Sequence, residues 1–185
     1  NEIFYSLIVT DYNGFQISCN DLFDGQITVN LPSGGTAPYQ YSLDGGTYGA
    51  NNIFSNLIAG QYTISVMDFN GCTSDTIIDM NEPGIFTLTE FIDNGISCPE
   101  ICDGAVSVIG MNGVAPVNYT LSGEPTQTTT FWNNICGDLT FGSYDIDAID
   151  ANGCTATVNF SIPEPLPFVY TLDSVVETCL MANGQ

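Results

Sequence analysis

Leu57-Ile58-Ala59-Gly60-Gln61-Tyr62-Thr63-Ile64-Ser65-Val66-Met67-Asp68-Phe69-Asn70-Gly71-Cys72 is the stretch that decides the fold. It opens on a Gly turn, alternates apolar Tyr62, Ile64 and Val66 with polar neighbours, and closes on Asn-Gly. Alternation with period two belongs to a strand with one buried face, and Asn-Gly between such strands signals a hairpin. The pattern returns 82 residues later, where Leu139, Gly142, Tyr144, Asp150, Asn152, Gly153 and Cys154 match Leu57, Gly60, Tyr62, Asp68, Asn70, Gly71 and Cys72. Self-similarity at so long an interval is the mark of a tandem array.

Working outward, Cys19-Asn20-Asp21-Leu22-Phe23-Asp24-Gly25 lies over Cys98-Pro99-Glu100-Ile101-Cys102-Asp103-Gly104, and a third copy starts at Cys179. Ala37-Pro38 and Tyr41-Ser42-Leu43 match Ala115-Pro116 and Tyr119-Thr120-Leu121. Asn81-Glu82-Pro83 and Pro163-Glu164-Pro165 are short connectors between units. The expected organisation is one repeat at 1–81, a second at 82–163 and the start of a third at 164–185.

Alternation also runs through Ile27, Val29 and Leu31, through Val106 and Val108, and through Tyr144, Ile146 and Ala148, with Gly-rich turns such as Ser33-Gly34-Gly35 and Asp44-Gly45-Gly46 between strands. No segment carries a 3.6-residue apolar stripe. Seven or so short strands in about 80 residues predict an all-β fold of immunoglobulin- or fibronectin-like sandwiches in series. Tyr62 and Tyr144, each just after a Gly turn, read as tyrosine corners, with the hydroxyl bonded back to the preceding loop.

The composition narrows function. The 185 residues include 21 Asp and Glu but no Lys, Arg or His, for a formal charge of −21. A typical chain is about a quarter charged, roughly half of that basic, so this composition has been shaped by selection. Nucleic acid is excluded as a partner, and so is direct binding to an anionic membrane, because both need basic side chains. A Ser nucleophile would lack a His or Lys base, and an isopeptide cross-link would lack its Lys. Paired carboxylates for glycoside cleavage are more simply a solvated acidic surface. No enzyme activity and no cofactor are expected. Trypsin has no cleavage site, and the 44% hydrophobic content supplies cores despite the charge.

Seven Cys without His argue against the usual zinc sites and for disulfides in an oxidising, extracellular compartment. Two pairings stay open. Within a repeat, Cys19 would join Cys72 and Cys98 would join Cys154, with Cys179 left over. In a fibronectin-like topology, however, Cys19 and Cys72 fall at opposite poles, beyond the roughly 7 Å that a disulfide spans. That topology instead sets Cys19 beside Cys154 of the next repeat and tilts the expectation towards an inter-repeat staple. Cys102 and Cys136, present only in the second repeat, are expected to form a local bridge.

Taken together, Cys-x4-Asp-Gly, Gly-Gly-x-Ala-Pro-Tyr-x-Tyr-Ser-Leu at 34–43, Leu-x-x-Gly-x-Tyr, Asp-x-Asn-Gly-Cys and Glu-Pro make a unit that resembles the SprB repeat family. The second repeat departs from this pattern at Val117, where the first has Tyr39, and in its added Cys102 and Cys136. The resemblance implies a cell-surface adhesin filament of the kind exported by type IX secretion in gliding Bacteroidetes. Its expected partners are the neighbouring repeats, with surface polysaccharide or other filament copies beyond them. It also makes Asp75-Thr76-Ile77 and Asp173-Ser174-Val175 look like O-glycosylation sites at Thr76 and Ser174.

Asp145, Asp147, Asp150 and Asn152 offer oxygens for calcium, but no bidentate Glu follows, and the Asp-x-Asn-Gly run reads equally as a hairpin turn. Trp132, in what reads as an insertion peculiar to the second repeat, is the candidate carbohydrate contact. Tyr39, Tyr41 and Tyr48 could extend an aromatic platform, although core packing explains most of them.

Overall fold

The computed structural model describes residues 2–138 and 142–170. Twelve strands run through them: β1 Phe4–Val9, β2 Gly25–Ser33, β3 Gln40–Leu43, β4 Ile53–Leu57, β5 Gly60–Met67, β6 Thr73–Met80, β7 Thr87–Asn94, β8 Gly104–Met111, β9 Asn118–Leu121, β10 Phe131–Ile135, β11 Tyr144–Ile149 and β12 Thr155–Phe160. They make four antiparallel sheets in the orders β1-β2-β4, β3-β5-β6, β7-β8-β10 and β9-β11-β12. The chain is all-β.

Alternation decides which residues face inward. In β11, Tyr144, Ile146 and Ala148 are buried, while Asp145, Asp147 and Ile149 face out. Ile27 and Val29 of β2 meet Ile64 and Val66 of β5 in one core, together with Ile3, Ile17, Leu57 and Met80. Val106, Val108, Leu121, Trp132, Ile135, Tyr144, Ile146 and Phe160 lie in a second core. Each core is thus closed between a sheet made of the first, second and fourth strands of its set and a sheet made of the third, fifth and sixth. This is immunoglobulin-like packing of two sheets face to face, with six strands per set among the described residues where the turn spacing predicts about seven.

Strand pairing corrects one alignment. Gly25 pairs with Leu57, and Gly104 pairs with Ile135. Asn56 and Asn134, each just before that partner, both have positive φ, at 59° and 60°. Ile135, not Leu139, therefore takes the place of Leu57, and Leu139 lies outside the described residues. The extra residues of the second repeat fall between Ile135 and Gly142, so Trp132 belongs to strand β10 and occupies the position of Phe54.

The Asp-Gly that closes Cys-x4-Asp-Gly has a packing reason. A Cβ on Gly25 would sit 2.5 Å from Ile17 Cδ1, 2.6 Å from Met80 Cε and 2.9 Å from the Leu57 carbonyl oxygen. On Gly104 it would meet Ile96 Cδ1 and Ile162 Cδ1 at 2.9 Å and the Ile135 oxygen at 3.0 Å. The core closes over the glycine in both sets, leaving no room for a methyl group. Gly25→Ala and Gly104→Ala are each expected to cost about 1–3 kcal/mol of stability, as overpacking does. Urea unfolding of the two variants checks this, and unchanged midpoints would show that the core relaxes freely.

Candidate functional site: the junction between the two sandwiches

The junction is built from two kinds of turn. The first is the β5–β6 hairpin and its counterpart between β11 and β12. Gly71 donates to the Asp68 carbonyl at 3.0 Å and Gly153 to the Asp150 carbonyl at 3.1 Å. Only the glycines take positive φ, 81° and 87°, so the Asn residues keep ordinary backbone. Asp68 Oδ1 accepts the N–H groups of Asn70 and Cys72, and its Oδ2 accepts Thr36 N–H, all at 2.9 Å. Asp150 repeats this with Asn152, Cys154 and Val114, again at 2.9 Å. The Asp holds the hairpin and anchors it to the β2–β3 connection or its equivalent.

The second turn carries Cys19 or Cys98. Asp21 and Glu100 have φ of 58° and 62°, while Leu22 and Ile101 donate back to the Cys19 and Cys98 carbonyls at 3.3 and 3.2 Å. Asp24 Oδ1 accepts Ser18 N–H at 3.2 Å, and Asp103 Oδ1 accepts Ser97 N–H at 3.0 Å. The connector glutamates seal these loops. Glu82 accepts from Asn20 Nδ2 and Asp21 N–H, both at 2.9 Å, and Glu164 accepts Glu100 N–H.

These two turns meet between the sandwiches. Cys19 is joined to Cys154 by a disulfide with a Cα–Cα distance of 5.6 Å and a sequence separation of 135. Asn152 Nδ2 donates to the Tyr12 and Ser18 carbonyls at 3.1 and 3.2 Å, and its Oδ1 accepts from Asn13 at 2.5 Å. Cys102 is joined to Cys136. Cys72 and Cys98 are exposed thiols, so the structure brings Cys19 together with Cys154 and not with Cys72. Cys179 and Ser174 lie outside the described residues.

The other candidates fall elsewhere. Trp132 is only 7% exposed and lies in the second core, and its Nε1 has no hydrogen-bond partner among the described residues. This corrects its reading as a surface contact: the strand register that makes β10 the partner of β8 turns the indole inward. A cleft of about 490 Å³ opens over it, lined by Trp132 itself, Phe131 and Tyr144 and by polar Ser122, Glu124, Gln127 and Asn133. Tyr39 and Tyr41 pack against the first core, and Tyr48 is half-buried.

Asp145 and Asp147 face out, bonded to Asn159 and Thr157, whereas Asp150 is buried in its hairpin. The three carboxylates do not converge, and Asn152 is turned to the junction. Thr76 is exposed on β6. Tyr144 is buried, its hydroxyl accepting Cys136 N–H at 3.2 Å and donating to the Cys136 carbonyl at 3.4 Å. Tyr62 makes the shorter-range version, donating to the Ile58 carbonyl at 3.0 Å, but its ring is only half-buried.

Hydrogen bonding from Cys72 N–H, with help from Thr36 and Asn70, holds the Asp68 carboxyl below its ordinary 3.8. Asp103 is lowered too, chiefly by the Ser97 hydroxyl and then by Ser97 N–H. A depressed folded value means that the stabilisation is complete above the unfolded value and is lost as pH falls through the folded one. Stability is therefore expected to fall below about pH 3.8, the ordinary value of both groups. Asp68→Asn should remove part of that acid response and lower stability at neutral pH. Carboxyl titration by NMR checks it, and an Asp68 midpoint at or above 3.8 would overturn it.

The SprB repeat family model matches residues 16–48, which contain the Cys19 turn, β2 and β3. Among solved structures, the C-terminal 282-residue fragment of intimin, crystallised with the intimin-binding domain of the translocated intimin receptor, is similar at 14% identity and a TM-score of 0.40. The alignment covers 88% of this chain and 64% of that fragment, so the chain spans less than two thirds of its length. No curated protein matches.

Proposed function

We propose that this chain is a segment of a cell-surface, adhesin-type repeat array with a structural, non-enzymatic role: to hold successive sandwiches in a set orientation and project whatever lies beyond them. The observation that carries this reading is the Cys19–Cys154 disulfide between two separately cored sandwiches. A bridge that closes a 135-residue loop contributes about 5 kcal/mol by the chain-entropy account and forms stably only in an oxidising compartment. The SprB match over residues 16–48 supports a surface repeat. The finer reading, a gliding adhesin filament exported by type IX secretion, rests on the motif resemblance. Neighbouring repeats are its first partners, and Thr76 is a site where a glycan coat would attach.

The composition supports the same role. A charge of −21 keeps exposed surfaces mutually repulsive and opposes bundling at low salt. The Cys19→Ser/Cys154→Ser double variant is expected to keep both sandwiches folded while letting them reorient, because only the connector with its Glu82 bonds and the Asn152 contacts, and no covalent bridge, then hold the junction. Residual dipolar couplings measure this directly. One shared alignment tensor in the native chain and two in the variant are expected. A single tensor in both would mean that the staple does not set the orientation.

A further inference from the structure

Both halves of the stapled junction are present a second time, unjoined. The hairpin that presents Cys154 is matched by the one that presents Cys72. Asp68 N–H bonds the Cys72 carbonyl at 2.9 Å and Asp150 N–H bonds the Cys154 carbonyl at 3.0 Å, while Phe69 and Ala151 donate to the Thr36 and Val114 carbonyls at 2.8 and 2.9 Å. The loop that presents Cys19 is matched by the loop that presents Cys98, down to the positive φ of Glu100 and the connector carboxylate of Glu164 on its N–H. Cys72 and Cys98 are exposed. The joined pair is heterologous, one kind of turn against the other, and a heterologous contact propagates when both faces recur on each unit.

We propose that Cys72 and Cys98 are the open ends of a staple that repeats along the array. Cys98 takes the Cys of an Asp-x-Asn-Gly-Cys hairpin on a following repeat, and Cys72 takes the Cys that heads Cys-x4-Asp-Gly on a preceding one. This deepens the structural reading above and rests on it. One departure sets the expected strength. The Tyr12–Phe15 turn, which supplies the Tyr12 and Asn13 contacts to Asn152, has no counterpart in the shorter Asn94–Cys98 loop. The next junction is therefore held by its disulfide and by an Asn contact to the Ser97 carbonyl.

The chemistry balances with a small disulfide as oxidant. One Cys thiolate attacks glutathione disulfide and expels a glutathione thiolate, and the partner Cys thiolate then displaces the second. One S–S bond breaks, one forms, and two glutathione thiols carry away the electrons and protons.

A second copy of this chain serves as the neighbouring repeat in the test. In a Cys179→Ser background, the Cys72→Ser and Cys98→Ser chains are incubated separately and mixed in a glutathione redox buffer. Protein is at about 1 mM, to approach the effective concentration of a short tether, with about 0.5 M NaCl to screen the acidic surfaces. The mixture is expected to yield a Cys98–Cys72 linked heterodimer, seen by mass and peptide mapping, and each variant alone roughly tenfold less dimer. Equal homodimer from either variant alone, or only glutathione adducts at both thiols, would overturn the repeating staple. The same map reads Cys19–Cys154. If that bond is intact while no heterodimer forms, only the propagation is lost; if that bond is missing, the structural reading falls with it.

Discussion

A carboxylate in this protein has no basic side chain to pair with, and the architecture follows from how that is managed. Among the described residues, the buried acids and the acids of the cysteine loops and connectors that make bonds meet neutral N–H or O–H groups instead. Asp68 and Asp150 each gather three backbone N–H groups, Asp24 binds Ser18, and Glu82 and Glu164 bind the cysteine loops. Backbone donors at a turn are unpaired by the strands around them and need an acceptor. An anionic acceptor makes the stronger, charge-assisted bond. These acids therefore sit where the chain reverses, and the turns that present Cys19, Cys72, Cys98 and Cys154 are shaped by them.

The largest differences between the two sandwiches lie at one pole. The second loses the Tyr12–Phe15 turn but gains residues between Ile135 and Gly142 and the Cys102–Cys136 bridge. Closing that 34-residue loop is worth about 4 kcal/mol in the chain-entropy account. The added segment also brings Asp138, whose carboxylate accepts Glu164 N–H at 2.9 Å and ties the connector down. Loops at sandwich ends tolerate such change because the sheets between them are closed by alternating core residues.

Much of this was legible in the sequence because its signals are local. Period-two runs such as Tyr144-Asp145-Ile146-Asp147-Ala148 name their buried face directly, and the Gly60-Gln61-Tyr62 and Gly142-Ser143-Tyr144 starts give the tyrosine bonds to the preceding loops. Trp132 was misplaced because its burial depends on register. Leu139 offers an equally good local match to Leu57, and only the pairing of β10 with β8, marked by the positive-φ Asn134, selects Ile135. The calcium set failed to converge for a similar reason: Asp145 and Asp147 share a face by strand parity, but Asp150 has already left the strand and turned inward. The acid-to-backbone bonds have no sequence signal of their own beyond Asp before Asn-Gly.

The position of the Cys19–Cys154 bond sets how far this segment can be stretched. Tension applied to the chain ends enters before Cys19, crosses the sulfur atoms and leaves after Cys154. Only β1 and β12 stand outside the closed loop, and once they have peeled from β2 and β11, strands β2 to β11 lie in a bypass that carries no load. Full extension of the bypassed 135 residues would add about 450–490 Å of contour length. That length is released only by a reductant, so redox conditions, not pulling force alone, limit the reach of the array.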